Sequence, residues 1–182
     1  MGRTDTGLRA VQGYAAKADD ERPLRGYATV MAVYAAGAAV AAGIARLTGK
    51  RLPERPPVGD LALMAVATHK ISRLLTKDAA TSPLRAPVTQ FESVAGEAEL
   101  NESPRGTGAQ HALGELLTCP FCTAVWVAGG LAAGLVFAPR LTRFGMGVAS
   151  AIAGARLSAP RIRRGEEGGG RLIPWAPGYV DR

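Results

Sequence analysis

Between Arg25 and Arg46 lie twenty consecutive residues, Gly26 to Ala45, without one Asp, Glu, Lys, Arg or His. A second uncharged run extends from Leu116 to Pro139. A helix needs roughly 20 apolar residues to cross about 30 Å of hydrocarbon. A soluble domain seldom holds even one helix that is apolar all round. Two such runs predict an all-α fold, an integral membrane helical bundle. The competing reading is a soluble α-protein with two buried central helices. Its main support is the alanine content of the first run, since alanine adds little insertion energy.

The chain carries 22 Lys and Arg against 15 Asp and Glu, a net charge of +7. In a soluble domain this excess would point toward nucleic acid. Here the basic residues flank the apolar runs, where anionic headgroups attract them, and no stripe of basic and aromatic residues occurs. The lipid bilayer is therefore the expected partner, with nucleic acid disfavoured. The first run follows a 25-residue polar lead and exceeds a usual signal-peptide core, so an uncleaved anchor helix fits it better.

These patterns divide the chain into a polar cytoplasmic lead at 1–25, a helical membrane domain at 26–159, and a disordered basic, Gly-rich tail at 160–182. Four spans are expected, at about 26–45, 58–76, 120–137 and 144–159. In the second, Leu63, Met64, Ala67, Ile71, Leu74 and Leu75 gather on one side at helical spacing. Ala62, Ala65, Val66, His69, Arg73 and Thr76 gather on the other. The expectation is large residues toward lipid and the small, polar face toward the bundle, with Lys70 and Arg73 snorkelling. The alternative is an amphipathic helix lying in the interface. The third span contains Gly130 and Gly134, a spacing that lets another helix backbone approach closely.

Residues 77–115 are predicted as a polar connection. Pro83 to Pro87 is expected to be extended or turned, because proline restricts itself and its predecessor. An acidic patch (Glu92, Glu97, Glu99, Glu102) and a flexible loop at 101–108 follow, then a short helix at about 109–117. Five basic residues precede the first span, three lie in this connection and six follow from Arg156. Only four separate spans one and two, and two separate spans three and four. The positive-inside rule places both termini in the cytoplasm.

Chemistry centres on Cys119-Pro120-Phe121-Cys122, which holds both cysteines of the chain. Pro120 suits the first helical turn. Cys119 then falls at the N-cap, where the helix dipole favours a thiolate. The spacing serves thiol exchange or metal binding, and His69 and His111 would complete a Cys2His2 set for zinc. The plain alternative is that both cysteines pack as small apolar groups. His69 and Arg73, one turn apart, can meet an acidic partner such as Asp78 or Glu115. Arg85 is expected at a headgroup or paired with Asp78. No Ser-His-Asp set, phosphate loop or pair of intramembrane carboxylates is visible, so an enzyme is not the favoured reading and no cofactor beyond zinc is suggested.

Thr68 to Arg73, Lys77-Asp78, Pro83-Leu84-Arg85, and Gly114 to Cys122 followed by Trp126 together resemble the domain of unknown function 1360 family. That family groups small bacterial membrane proteins, one of them linked to sporulation. The resemblance covers about 61–137. It implies that Arg73, Asp78, Arg85 and Glu115, with the cysteines, form a shared core, and it assigns them no chemistry. The expected role is a non-catalytic membrane assembly or scaffold component, working as a homo-oligomer or with other membrane proteins. A thiol-redox or zinc-binding protein is the alternative, and a small transporter subunit the third reading.

Overall fold

The structure, a computed structural model, describes residues 23–50 and 55–158. The expected polar lead, up to residue 22, and the expected tail lie outside the described residues. The element order is α1 (Leu24–Leu47), α2 (Val58–Lys77), a 3-10 turn (Ala79–Thr81), α3 (Ser82–Arg85), β1 (Thr89–Gly96), β2 (Glu99–Pro104), α4 (Gly108–Thr118), α5 (Pro120–Phe137) and α6 (Pro139–Ser158).

The fold is mostly helical, but a small two-stranded antiparallel sheet among the described residues departs from the all-α fold expected. Helices α1, α2, α5 and α6 hold 24, 20, 18 and 20 residues. At about 1.5 Å per residue each is roughly 27–36 Å long. Two of them, α1 and α5, are long and apolar enough to cross a membrane by length and composition. Helices α2 and α6 match them in length but carry charged residues within their bounds, among them Asp60, Lys70, Arg73, Arg140 and Arg143.

Cross-contacts give the helix directions. Tyr27 of α1 bonds Glu115 just before α5, Tyr34 meets Trp126, and Lys50 reaches the Phe137 carbonyl at 3.3 Å. Helices α1 and α5 therefore run parallel. Asp60 pairs with Arg143, and Ser150 Oγ donates to the Leu63 carbonyl at 3.5 Å, so α2 and α6 are also parallel. The C-terminal half of α2 faces the start of α5, which makes the two pairs antiparallel. The buried core lies between α2 and α6: Ala67, Met146 and Ala149, with Leu63, Met64, Ile71, Leu131 and Leu135 packed around them.

This core departs from the expected orientation of α2 along most of its length, although Thr76, expected on the bundle face, is buried. Leu63, Met64 and Ile71 face the bundle, whereas Ala62, Ala65, Val66, His69 and Arg73 are exposed. Bulky side chains fill the space against α6, where the buried Met146 needs partners to interlock with. Helix α6 also begins at Pro139 rather than near 144, because proline is tolerated in a first turn, so Arg140 and Arg143 are helical.

The 77–115 connection is folded. Pro83 to Pro87 was expected to be extended or turned; Ser82–Arg85 is instead a helical turn, with Pro83 in the first turn where no N–H is required, and residues 86–88 are turned. The acidic patch and the expected flexible loop form a hairpin with Thr89 opposite Pro104 and Phe91 opposite Glu102. Irregularities after Phe91 and Val94 break its two-residue alternation. The short helix falls close to expectation, as α4.

Candidate functional site: the polar end of the bundle

The end of α2, the 3-10 turn, α3, the hairpin, α4 and the start of α5 meet at one end of the molecule. Arg85 sits at its centre with a side chain only 1% exposed. Its Nε and Nη2 donate to both carboxylate oxygens of Glu102, at 2.8 and 2.9 Å. Nη1 donates to the Leu75 carbonyl (2.9 Å) and Thr81 Oγ1 (2.7 Å), and Nη2 to the Asp78 carbonyl (3.1 Å). All five guanidinium N–H groups thus have acceptors. Two of these are carbonyls at the close of α2, which have no intrahelical partner. Thr81 Oγ1 satisfies a third, that of Leu74, at 2.6 Å.

Glu102 also accepts from Thr89 Oγ1 at 2.9 Å. The Arg85 hydrogen bonds hold its carboxyl below the usual glutamate range; burial opposes this, and Thr89 and the charges of Arg85 and Lys77 add to the lowering. Arg73 makes a second bidentate pair with Glu99, at 3.0 and 2.6 Å. Asp78 caps the 3-10 turn through the Ala80 N–H. The hairpin is thus held to α2 through Arg73, to α3 through Arg85 and to the 3-10 turn by the Ala79 N–H on the Ala98 carbonyl. Arg85, expected at a headgroup or paired with Asp78, pairs with Glu102; Asp78 offers it a backbone carbonyl. Arg73 likewise pairs with Glu99 and not with Asp78 or Glu115.

Helix α4 is clamped between close backbones. A Cβ on Gly26 would stand 2.5 Å from the Gly108 carbonyl oxygen, and one on Gly114 2.5 Å from that of Val88. Glu115 accepts from the Tyr27 hydroxyl and lies 3.7 Å from His111 Nε2. Within α5, a Cβ on Gly134 would press on Thr142 of α6 at 2.6 Å, whereas one on Gly130 would meet nothing within 4 Å. The closer approach to α1 is at Gly129, beneath the Tyr34 hydroxyl.

Cys119 is the N-cap of α5, and its Sγ accepts from the Cys122 N–H at 3.3 Å. Both thiols are free, Cys119 half-buried and Cys122 exposed. Burial pushes the Cys119 thiol up. The Cys122 thiol, the Cys122 and Phe121 N–H groups and the Lys77 charge outweigh it and leave Cys119 below the ordinary thiol range. Both cysteines line an apolar groove of about 870 Å³ between α1, α4 and α5, with Tyr27, Tyr34, Glu115 and Trp126. Trp126 meets Tyr34 edge-on, ring centroids 5.2 Å apart.

His69 lies elsewhere. It shares a separate cleft of about 220 Å³ with Thr68, Arg73, Pro120, Phe121 and Ala124, on the other side of the start of α5. His111 Nδ1 sits 3.3 Å from the Gly106 carbonyl. The expected Cys119, Cys122, His69 and His111 set therefore does not converge. Among the described residues no three His, Cys, Asp or Glu side chains gather as a metal site.

Sequence reasoning named Arg73, Asp78, Arg85 and Glu115 but missed the carboxylates of Glu99 and Glu102 as their partners. It also missed the pair at the opposite end, where Arg143 grips Asp60 through bonds of 2.7–3.1 Å. Asp60 in the first turn of α2 was the available signal, since an acid there suits the helix dipole.

Fold and site define a small helical protein with two membrane-length apolar helices and a polar end braced by arginine–carboxylate pairs. The chain belongs to the family described as protein of unknown function (DUF1360), whose profile matches residues 63–159. It is similar to the sporulation protein YjcA of Bacillus subtilis (strain 168), 35% identical over 74 residues. That match covers 39% of this chain and 63% of the relative, so the chain spans less than two thirds of the relative's length. No solved structure matches.

Proposed function

We propose that the chain is a four-span protein of the bacterial inner membrane, both termini cytoplasmic, serving as a non-catalytic assembly component. The observation that carries the role is where the charges go. Arg73, Arg85 and Arg143 are each bound to a carboxylate of the same chain, so these polar groups brace the fold. Large apolar side chains, among them Met31, Val40, Val125 and Phe144, stand exposed. Apolar surface on this scale calls for lipid or a protein partner. The alternation of four helices of about 27–36 Å supports four crossings, and the excess of basic residues beside the hairpin side supports the orientation. Partners are further copies of the chain or other membrane proteins, with sporulation as the process that the named relative suggests.

Cross-linking in native membranes, followed by native electrophoresis in mild detergent, tests the role. A discrete complex larger than the monomer is expected, and it persists in Cys119→Ser and Cys122→Ser variants. A monomer whose cellular effect vanishes with either cysteine contradicts the role. A second reading, thiol–disulfide exchange, is favoured by one observation: the two thiols sit side by side on the wall of an apolar groove of about 870 Å³.

A further inference from the structure

We propose that the groove between α1, α4 and α5 binds a lipid-soluble quinone, which accepts the two electrons of the Cys119–Cys122 dithiol. The inference rests on the thiol-exchange reading and names its oxidant. Three observations converge on this class of molecule.

First, the groove holds about 870 Å³, within the roughly 300–1,000 Å³ range of small-molecule sites and far beyond what an ion requires. Second, its lining is aromatic and aliphatic (Val30, Tyr34, Val125 and Trp126), which suits a planar apolar ring with a hydrocarbon tail. Polar groups occur on the same wall as the sulfurs: the Tyr27 hydroxyl, the Glu115 carboxylate and Thr118. The Tyr27 hydroxyl already donates to the Glu115 carboxylate and the Thr118 hydroxyl to the Glu115 carbonyl, so the carboxylate is placed to accept from a hydroxyl of the quinol product, while the tail leaves along α1 and α5. Third, the thiols are poised as a pair. Cys119 is the N-cap sulfur and accepts from the Cys122 N–H, which supports the thiolate that begins thiol chemistry.

The reaction balances within the pair. Two S–H bonds break and one S–S bond forms. The two electrons and two protons pass to the quinone, whose two carbonyl oxygens become the hydroxyls of the quinol. Two thiols or one dithiol from the aqueous side then return two electrons and two protons by exchange through the exposed Cys122 and are themselves left joined as a disulfide.

The test uses the full chain in detergent, reduced, freed of reductant and mixed with a short-tailed benzoquinone or naphthoquinone. Quinone absorbance, thiol count and intact mass are followed together, with diamide as a quinone-independent oxidant. One quinone is expected to be consumed for each pair of thiols lost, with a mass decrease of two hydrogens. Cys119→Ser and Cys122→Ser abolish this. Ala35→Phe, which narrows the groove away from the sulfurs, slows the quinone reaction about tenfold or more, the scale of discrimination that pocket shape supplies. Diamide still oxidises that variant. A cysteine arylated by quinone in place of a disulfide overturns the proposal, as does an Ala35→Phe rate equal to wild type. Oxidation by diamide with no quinone consumed overturns the quinone assignment and leaves thiol exchange standing. Failure of both oxidants overturns the two together.

Discussion

Arg85 explains why a short linking segment can be rigid. One side chain closes two carbonyls at the end of α2, takes the Thr81 hydroxyl and holds Glu102 by both oxygens. Removing one partner of a buried pair leaves an uncompensated charge, a loss of about 3–5 kcal/mol. Arg85→Ala is therefore expected to lower the melting temperature of the detergent-solubilised protein steeply, and Arg85→Lys to recover only part, because an ammonium lacks the planar fork. Acid acts on the same pair. The Glu102 carboxyl is lowered from its ordinary 4.5, so its stabilisation is complete above that value and is lost as pH falls through the lowered one. Glu102→Gln is expected to flatten the acid limb of a stability–pH curve; an unchanged limb would place acid sensitivity elsewhere. At Cys119, the Cys122 thiol is the foremost of the groups that lower the pKa. Cys122→Ala should shift the pH profile of Cys119 alkylation upward, and an unmoved profile would mean that the backbone N–H groups and the Lys77 charge set it.

Among the elements, α4 is the joint between α1 and the hairpin. Gly26 and Gly114 permit backbone approaches that no side chain could share. Gly114→Ala is expected to destabilise by about 1–3 kcal/mol, the cost of overpacking. Gly130→Ala, which meets open space, should leave the monomer within about 0.5 kcal/mol of wild type. Thermal denaturation of the two variants side by side checks the contrast. The helices were readable because uncharged runs and Pro120 behind Cys119 are local signals. The hairpin was not. Its turn carries Glu97 and Ala98, the latter at φ 58°, where Asn-Gly or Asp-Gly usually announces a hairpin. Its glutamates read as solvated until the arginines that neutralise them, 17 and 26 residues away, are in place. The buried face of α2 was misjudged for a related reason: periodicity finds two faces but cannot tell which one a neighbouring helix covers.

Across the whole molecule, four helices alternate in direction and divide the polar groups between two ends. One end holds the hairpin, α4 and the cysteines; the other holds Lys50, Asp60 and Arg143. The uncharged runs made two of these helices legible as membrane-length, while α2 and α6 become bundle members only through Asp60–Arg143 and the core around Met146. In the proposed topology the two ends face opposite sides of a membrane. Single cysteines introduced at Gly49 and at Glu97, in a Cys119→Ser, Cys122→Ser background, test it in intact cells with a membrane-impermeant maleimide. The expected result is labelling of Gly49→Cys from outside and of Glu97→Cys only after the membrane is opened. Labelling of both positions from the same side would contradict it.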